Sequence, residues 1–313
     1  MSFEGKTDAE MVEILKGIKK DNGHEEPTKE EYVRSELTLR DKYIEPPFSV
    51  LDTKTGSWRK RKTKWLEYGI QSEVGRDVKV LLGKSTNDYM PDMKSETSIF
   101  DPALCELMYK WFCPDGGKIL DPFAGGSVRG IVAHLMGYKY TGIELRQEQV
   151  DSNIEQAKKI LPPDNQPTWI CGDSDKVLDE LTAQGKTYDF MFSCPPYFNL
   201  EVYSDLPDDL SNMSYKDFLE KYRSIIKKAH MLLWSGGYEV FVVGDVRDEK
   251  GNYVDFIGET KKAFMDPFTV GAKLYNDMIL LDPIGTAMMR ANGTFKEKKV
   301  VKVHQNVICF KKM

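Results

Sequence analysis

The chain has 313 residues, of which 41% are hydrophobic and 30% charged, so an ordinary core can form and a chain disordered throughout is excluded. Lys and Arg number 44 against 49 Asp and Glu, a net charge of -5, which excludes a uniformly basic nucleic-acid coat. No run approaches the ~18 apolar residues of a spanning helix, and the five Cys are widely spaced with no CxxC pair and no His cluster beside them. The expectation is a cytoplasmic protein with free thiols, no structural metal and no membrane contact.

In chain order, residues 1–95 read as an N-terminal extension and 96–313 as the catalytic domain. The extension opens with charged helical patches such as Ala9–Leu15, is broken by Pro46-Pro47, and then carries Arg59, Lys60, Arg61, Lys62 and Lys64 between Trp58 and Trp65. Residues 83–97 read as a polar loop. From there, strand-length apolar runs alternate with helical patterns. Strands are predicted at 118–123, 140–145, 168–173, 188–193, 239–245, 274–281 and 306–310. Helices are predicted at 100–112, 127–136, 146–160, 175–181, 215–233 and 254–264. This alternation predicts an α/β fold, a Rossmann-like sheet of seven mostly parallel strands with helices on both faces. The last two strands, joined by a long polar loop at 282–305, are expected to pair antiparallel at the edge.

Asp121-Pro122-Phe123-Ala124-Gly125-Gly126 leaves a strand and enters a helix. Glycines there let backbone approach a ligand at the carboxyl edge of the sheet. The spacing is not G-x-G-x-x-G, and Asp121 puts a carboxylate where a phosphate would otherwise sit. Glu144 ends the next strand, about 20 residues past Gly125, the distance of a ribose-binding acid. Asp173 ends the third. Such acids also serve as helix caps, but three of them around one glycine turn suit a cationic nucleoside such as S-adenosylmethionine. Further on, the apolar strand 188–193 runs into Cys194-Pro195-Pro196-Tyr197. The prolines hold the backbone rigid, so fixed carbonyls can accept from a flat, amine-bearing base that stacks on Tyr197.

Together, Asp121–Gly126 and Cys194–Tyr197 resemble the first and catalytic motifs of the DNA amino-methyltransferases that modify adenine N6 or cytosine N4. Residues 192–205, 68–73 and His304-Gln305-Asn306-Val307 also look like phage and prophage DNA methylases, which implies a bacterial or phage-infected cell. The resemblance covers about residues 97–312 and implies S-adenosylmethionine as cofactor and double-stranded DNA as partner. By that resemblance, Asp121, Phe123, Ala124, Gly125 and Gly126 line the methionine end, helped by Ser98 and Phe100, while Glu144 holds the ribose and Asp173 the adenine. The catalytic set is Ser193, Cys194, Pro195, Pro196 and Tyr197, with Pro195 accepting from the target amine through its carbonyl. Cys194 departs from the family, which carries Asp, Asn or Ser there; sulfur is a weak acceptor. Adenine N6, cytosine N4 and thiolate-assisted C5 methylation stay open, as do an RNA or tRNA substrate and an inactive nucleic-acid binder. DNA contact is expected from Arg59, Lys60, Arg61, Lys62 and Lys64, and from Arg290, Lys298 and Lys299 in the late loop. The acidic segment 198–213 is expected to act as a lid.

Overall fold

The computed structural model describes residues 39–71, 100–197, 210–248, 250–281 and 287–313. The chain divides into two compact units, Met1–Pro47 and Phe48–Met313. Among the described residues the second unit holds one sheet of eight strands. These are β1 (Val50–Asp52), β2 (Lys118–Asp121), β3 (Lys139–Glu144), β4 (Thr168–Cys171), β5 (Tyr188–Ser193), β6 (Leu233–Val243), β7 (Lys273–Leu281) and β8 (His304–Lys311). The order across the sheet is β1-β7-β8-β6-β5-β2-β3-β4. β8 runs against β6 and β7, and the other described pairings are parallel. The helices are α1 (Gly56–Glu67), α2 (Pro102–Phe112), α3 (Val128–Leu135), α4 (Gln147–Ile160), α5 (Ser174–Ala183), α6 (Tyr215–Met231), α7 (Phe256–Met265) and α8 (Ala287–Thr294).

This is the Rossmann-like, mostly parallel α/β sheet expected from the alternating pattern, with the antiparallel β7–β8 pair in place. Three features differ. β1 adds an eighth strand along β7, with Leu51 opposite Leu280. Residues 48–71 therefore lie in the same unit as the sheet, rather than in an extension ending at residue 95. β6 begins at Leu233, six residues before the predicted 239, through a Gly236-Gly237 stretch that reads as a turn. The segment predicted as a polar loop at 282–305 carries α8 and a 3₁₀ turn at Phe295–Glu297.

Local chemistry sets the element boundaries. β2 stops at Asp121 because Pro122 has no N–H to donate to a neighbouring strand. Asp101 caps α2 by accepting from the Ala103 N–H at 2.9 Å, with Pro102 at the first helical position, where its missing N–H costs nothing. α6 buries Phe218, Tyr222, Ile225, Ile226 and Ala229 on one stripe. That stripe joins a core with Phe241, Phe264 and Phe310, the last two rings stacked 4.2 Å apart. Each such buried ring contributes about 1.5–3 kcal/mol. No described helix is long and apolar enough to cross a membrane.

The topology then creates a crevice. The chain lays down β2, steps outward to β3 and β4, and returns to place β5 on the other side of β2. Connections leave β2 and β5 in opposite directions, and open α/β sheets bind ligands above the carboxyl ends at such a reversal.

Candidate functional site

Both sequence motifs end at that crevice: the glycine turn follows β2 and Cys194–Tyr197 follows β5. The turn is tied down by side chains. The Pro122 carbonyl accepts from Ser174 Oγ at 2.5 Å. Those of Phe123 and Ala124 accept from one Arg129 nitrogen at 2.7 and 2.8 Å. The Gly125 carbonyl accepts from Asn153 Nδ2 at 2.8 Å. Four successive carbonyls are thus held by protein donors. Gly125 sits at φ 51°, a left-handed conformation that glycine adopts without a Cβ clash.

Asp121 is the knot of this arrangement and is completely buried. Its Oδ1 accepts from Ser193 Oγ at 2.5 Å and from the Phe123 N–H at 3.1 Å. Its Oδ2 accepts from Arg129 Nε at 2.5 Å and Tyr140 Oη at 2.7 Å. A carboxylate has about four acceptor positions, and these donors take them up. The expectation that Asp121 faces a cationic ligand is therefore corrected: its charge is matched inside the protein. Burial is the largest influence and opposes the Arg129 charge, but Asp121, by its charge and its hydrogen bond, together with Tyr140 and Cys194 outweighs it and holds the guanidinium protonated beyond its usual range. Burial, and then Asp121, push the Tyr140 phenol well up, so it stays a donor. Arg129 also lies over the Phe100 ring, 4.5 Å from its centroid, and Phe100 packs edge-on against Phe192. Phe100 thus packs against the residues around Asp121 and β5, while Ser98 lies outside the described residues.

The other two acids divide. Glu144 ends β3 and accepts from the Arg146 N–H through Oε1 at 3.0 Å, with Arg146 Nε at 3.7 Å. Asp173 caps α5 through the Asp175 N–H at 3.1 Å, and its second oxygen lies 3.0 Å from Lys221 Nζ. Its capping role is thus the one observed. Phe123 points under the turn, toward Tyr222 and Phe241, and Ala124 is buried.

Ser193 is buried with its hydroxyl on Asp121, so it does not stand in for Cys194 toward a substrate amine. Instead it links the two motifs across adjacent strands. Pro195 is buried and Pro196 half-buried. The half-buried Tyr197 meets Phe256 edge-on at 6.2 Å. Its hydroxyl lies 3.8 Å from Cys194 Sγ and accepts from Gln305 Nε2 at 2.5 Å. The proposed lid falls mostly at 198–209, outside the described residues.

The first basic run is largely spoken for. Trp58 is buried and donates to Asp101 at 3.0 Å, and Trp65 donates to Glu106 at 2.6 Å. Arg61 pairs with Glu106 at 2.7 Å and Lys62 with Asp101 at 3.5 Å. The idea of indoles open for base stacking beside five available cations is corrected: α1 uses these groups to dock on α2. Arg59, Lys60 and Lys64 remain exposed, with the Arg59 guanidinium on the Lys54 carbonyl. In the second run Arg290 and Lys298 are exposed, while Lys299 pairs with Glu297 at 2.5 Å.

Sequence reading missed Arg129, Ser174, Asn153 and Gln305. The signal for Arg129 was present: it is the one Arg or Lys in the apolar helix Val128–Leu135. For Gln305 there was only its place in the His-Gln-Asn-Val segment. No family model matches the chain, and no curated protein matches it. Among solved structures, TrmN from Thermus thermophilus is similar over 68% of this chain and 49% of its own, at 14% identity and a TM-score of 0.45. The chain thus spans about half the length of TrmN. PH1948 from Pyrococcus horikoshii, whose assignment as an RNA methyltransferase is itself provisional, matches over 81% of this chain and 99% of its own, at 16% identity and 0.46. The magnesium protoporphyrin IX methyltransferase ChlM from Synechocystis, solved with bound S-adenosylmethionine, matches over 68% of this chain and 79% of its own, at 11% identity and 0.42.

Proposed function

We propose that this chain is an S-adenosylmethionine-dependent methyltransferase that methylates an exocyclic amine, adenine N6 or cytosine N4, of a base flipped out of double-stranded DNA. The observation that carries this reading is the Ser193–Asp121 hydrogen bond. It fixes a glycine turn suited to a methyl donor and a Pro-Pro-Tyr segment suited to a flat base side by side at the carboxyl ends of β2 and β5.

The residues fit the cofactor. Gly125 allows close backbone approach at its positive φ, and Glu144 ends β3 where a ribose would lie. Asp173 already holds a cap and a lysine, so the adenine would meet the turn around it rather than a carboxylate without partners. When bound, S-adenosylmethionine supplies a methyl group on a cationic sulfur. What the chain adds is positioning. Tyr197 stacks on the extruded base, which is unreachable inside the duplex. The Pro195 carbonyl accepts from one amine hydrogen and so aims the nitrogen lone pair. Cys194 sulfur is a weak acceptor, which leaves that carbonyl as the main orienting group.

The test is incubation with methyl-labelled S-adenosylmethionine and duplex DNA, single-stranded DNA or RNA, followed by digestion and identification of the labelled nucleoside. Label in N6-methyladenine or N4-methylcytosine of duplex DNA is expected. Label only in RNA, in 5-methylcytosine, or in none of these overturns the reading.

A further inference from the structure

We infer that Gln305 is a positioning residue for base stacking, acting through the hydroxyl of Tyr197; this rests on the reading of Tyr197 as the stacking residue. Tyr197 follows two prolines and is held at two points. Phe256 of α7 meets its ring edge-on, at 6.2 Å and 79°. Gln305 Nε2 donates to its phenolic oxygen at 2.5 Å. The same oxygen lies 3.8 Å from Cys194 Sγ, a hydrogen bond in which either group can donate. One side chain of β8 thereby fixes the stacking ring and, through it, the first member of the Cys-Pro-Pro-Tyr tetrad.

The platform beneath Gln305 is rigid. β8 is hydrogen-bonded on both flanks, with Gln305 opposite Leu280 of β7 and Asn306 opposite Val243 of β6. Asn306 is further tied to Asp277 at 3.1 Å. Beyond the end of β6, Gly244 passes beside the pair: a Cβ there would sit 3.8 Å from the Tyr197 hydroxyl and 3.9 Å from Gln305 Cγ. A ring clamped by its edge and its tip is held in one orientation before a base arrives. Little side-chain freedom is then lost on docking. Releasing the tip lets the ring turn about its side-chain torsions, and that loss falls on the step that holds the base out of the stack.

The experiment is a kinetic double-mutant cycle on the full chain with Gln305→Leu, Tyr197→Phe and the double variant. Three readouts are taken: methyl transfer, S-adenosylmethionine affinity by calorimetry, and fluorescence of 2-aminopurine at the methylated position, which reports extrusion. Each single change is expected to lower kcat about tenfold, the worth of one well-formed hydrogen bond. The double variant should be no more than about twofold worse than Tyr197→Phe, because that change already removes the Gln305 contact, together with the weak one to Cys194. The 2-aminopurine signal should fall in parallel while cofactor affinity stays unchanged. Gln305→Asn, too short to reach the phenol, should behave as Gln305→Leu and carries the test if that variant does not fold. Losses that multiply to about a hundredfold, or a fall in cofactor affinity, overturn the inference alone. A wild-type protein that methylates no nucleic acid overturns the reading of the site and the inference with it.

Discussion

Two basic runs, 59–64 and 290–302, look alike as sequence and differ in the folded chain. In the first, Arg61 and Lys62 pair with Glu106 and Asp101, and the indoles of Trp58 and Trp65 donate to the same two acids. In the second, Arg290, Lys296 and Lys298 stay exposed, Lys299 pairs with Glu297 two residues away, and Lys302 is half-buried near Asp245. The second run also lies between the carboxyl end of β7 and the start of β8, on the edge of the sheet that carries Asp121 and Ser193. The lesson is that the acids around a cation decide whether it can serve a partner, and those acids can sit more than forty residues away in sequence.

The largest effect expected from this contrast is structural. Trp58→Ala should lower unfolding stability by about 3–5 kcal/mol, since it empties a buried indole site and removes one of the donors to Asp101. Chemical denaturation measures it, and a loss below about 1 kcal/mol would mean that α1 is not docked through this residue. Next, on the proposed reading, changing Arg290, Lys296 and Lys298 together to Ala should weaken duplex binding and flatten its salt dependence. The slope of log affinity against log salt should drop by up to about 2.7, or about 0.9 for each lost phosphate contact. Anisotropy titrations across salt concentrations report it, and an unchanged slope would remove this run from the interface. The smallest effect belongs to Lys60→Ala with Lys64→Ala: stability within about 0.5 kcal/mol and a salt slope altered by less than one contact. A larger drop in slope would restore the first run as a nucleic-acid surface.

Much of the fold was legible because its signals are local. Apolar runs of strand length, Pro122 after β2 and the capping acids Asp101 and Asp173 bracket elements within a few residues of where they occur. β1 was not, because three residues in a charged, proline-broken stretch carry no periodicity; the edge of β7 makes them a strand. The early start of β6 was hidden by Gly236-Gly237, which reads as a turn; in the sheet the register against β5 shifts there, while the two glycines exchange backbone hydrogen bonds with Lys312, just past β8. At the site, the two motifs were legible as turns that follow β2 and β5, but the role of Asp121 was not. Its partners Arg129, Tyr140 and Ser193 come from α3, β3 and β5, and only the folded sheet brings them to one carboxylate. Breaking such a buried, hydrogen-bonded pair costs about 3–5 kcal/mol, so Asp121→Ala would report on folding rather than on ligand contact.

Gly125 is the better probe of the turn after β2, because it holds no buried ion pair and its left-handed backbone, φ 51°, is one that a β-branched side chain strains. Titration of S-adenosylmethionine into the wild-type chain and into Gly125→Val by calorimetry, with circular dichroism to confirm the fold, tests the proposed site most directly. The prediction is saturable one-to-one binding to the wild type and no measurable binding to the variant at φ 51°. Equal affinity in both, or no binding to the wild type, would contradict it.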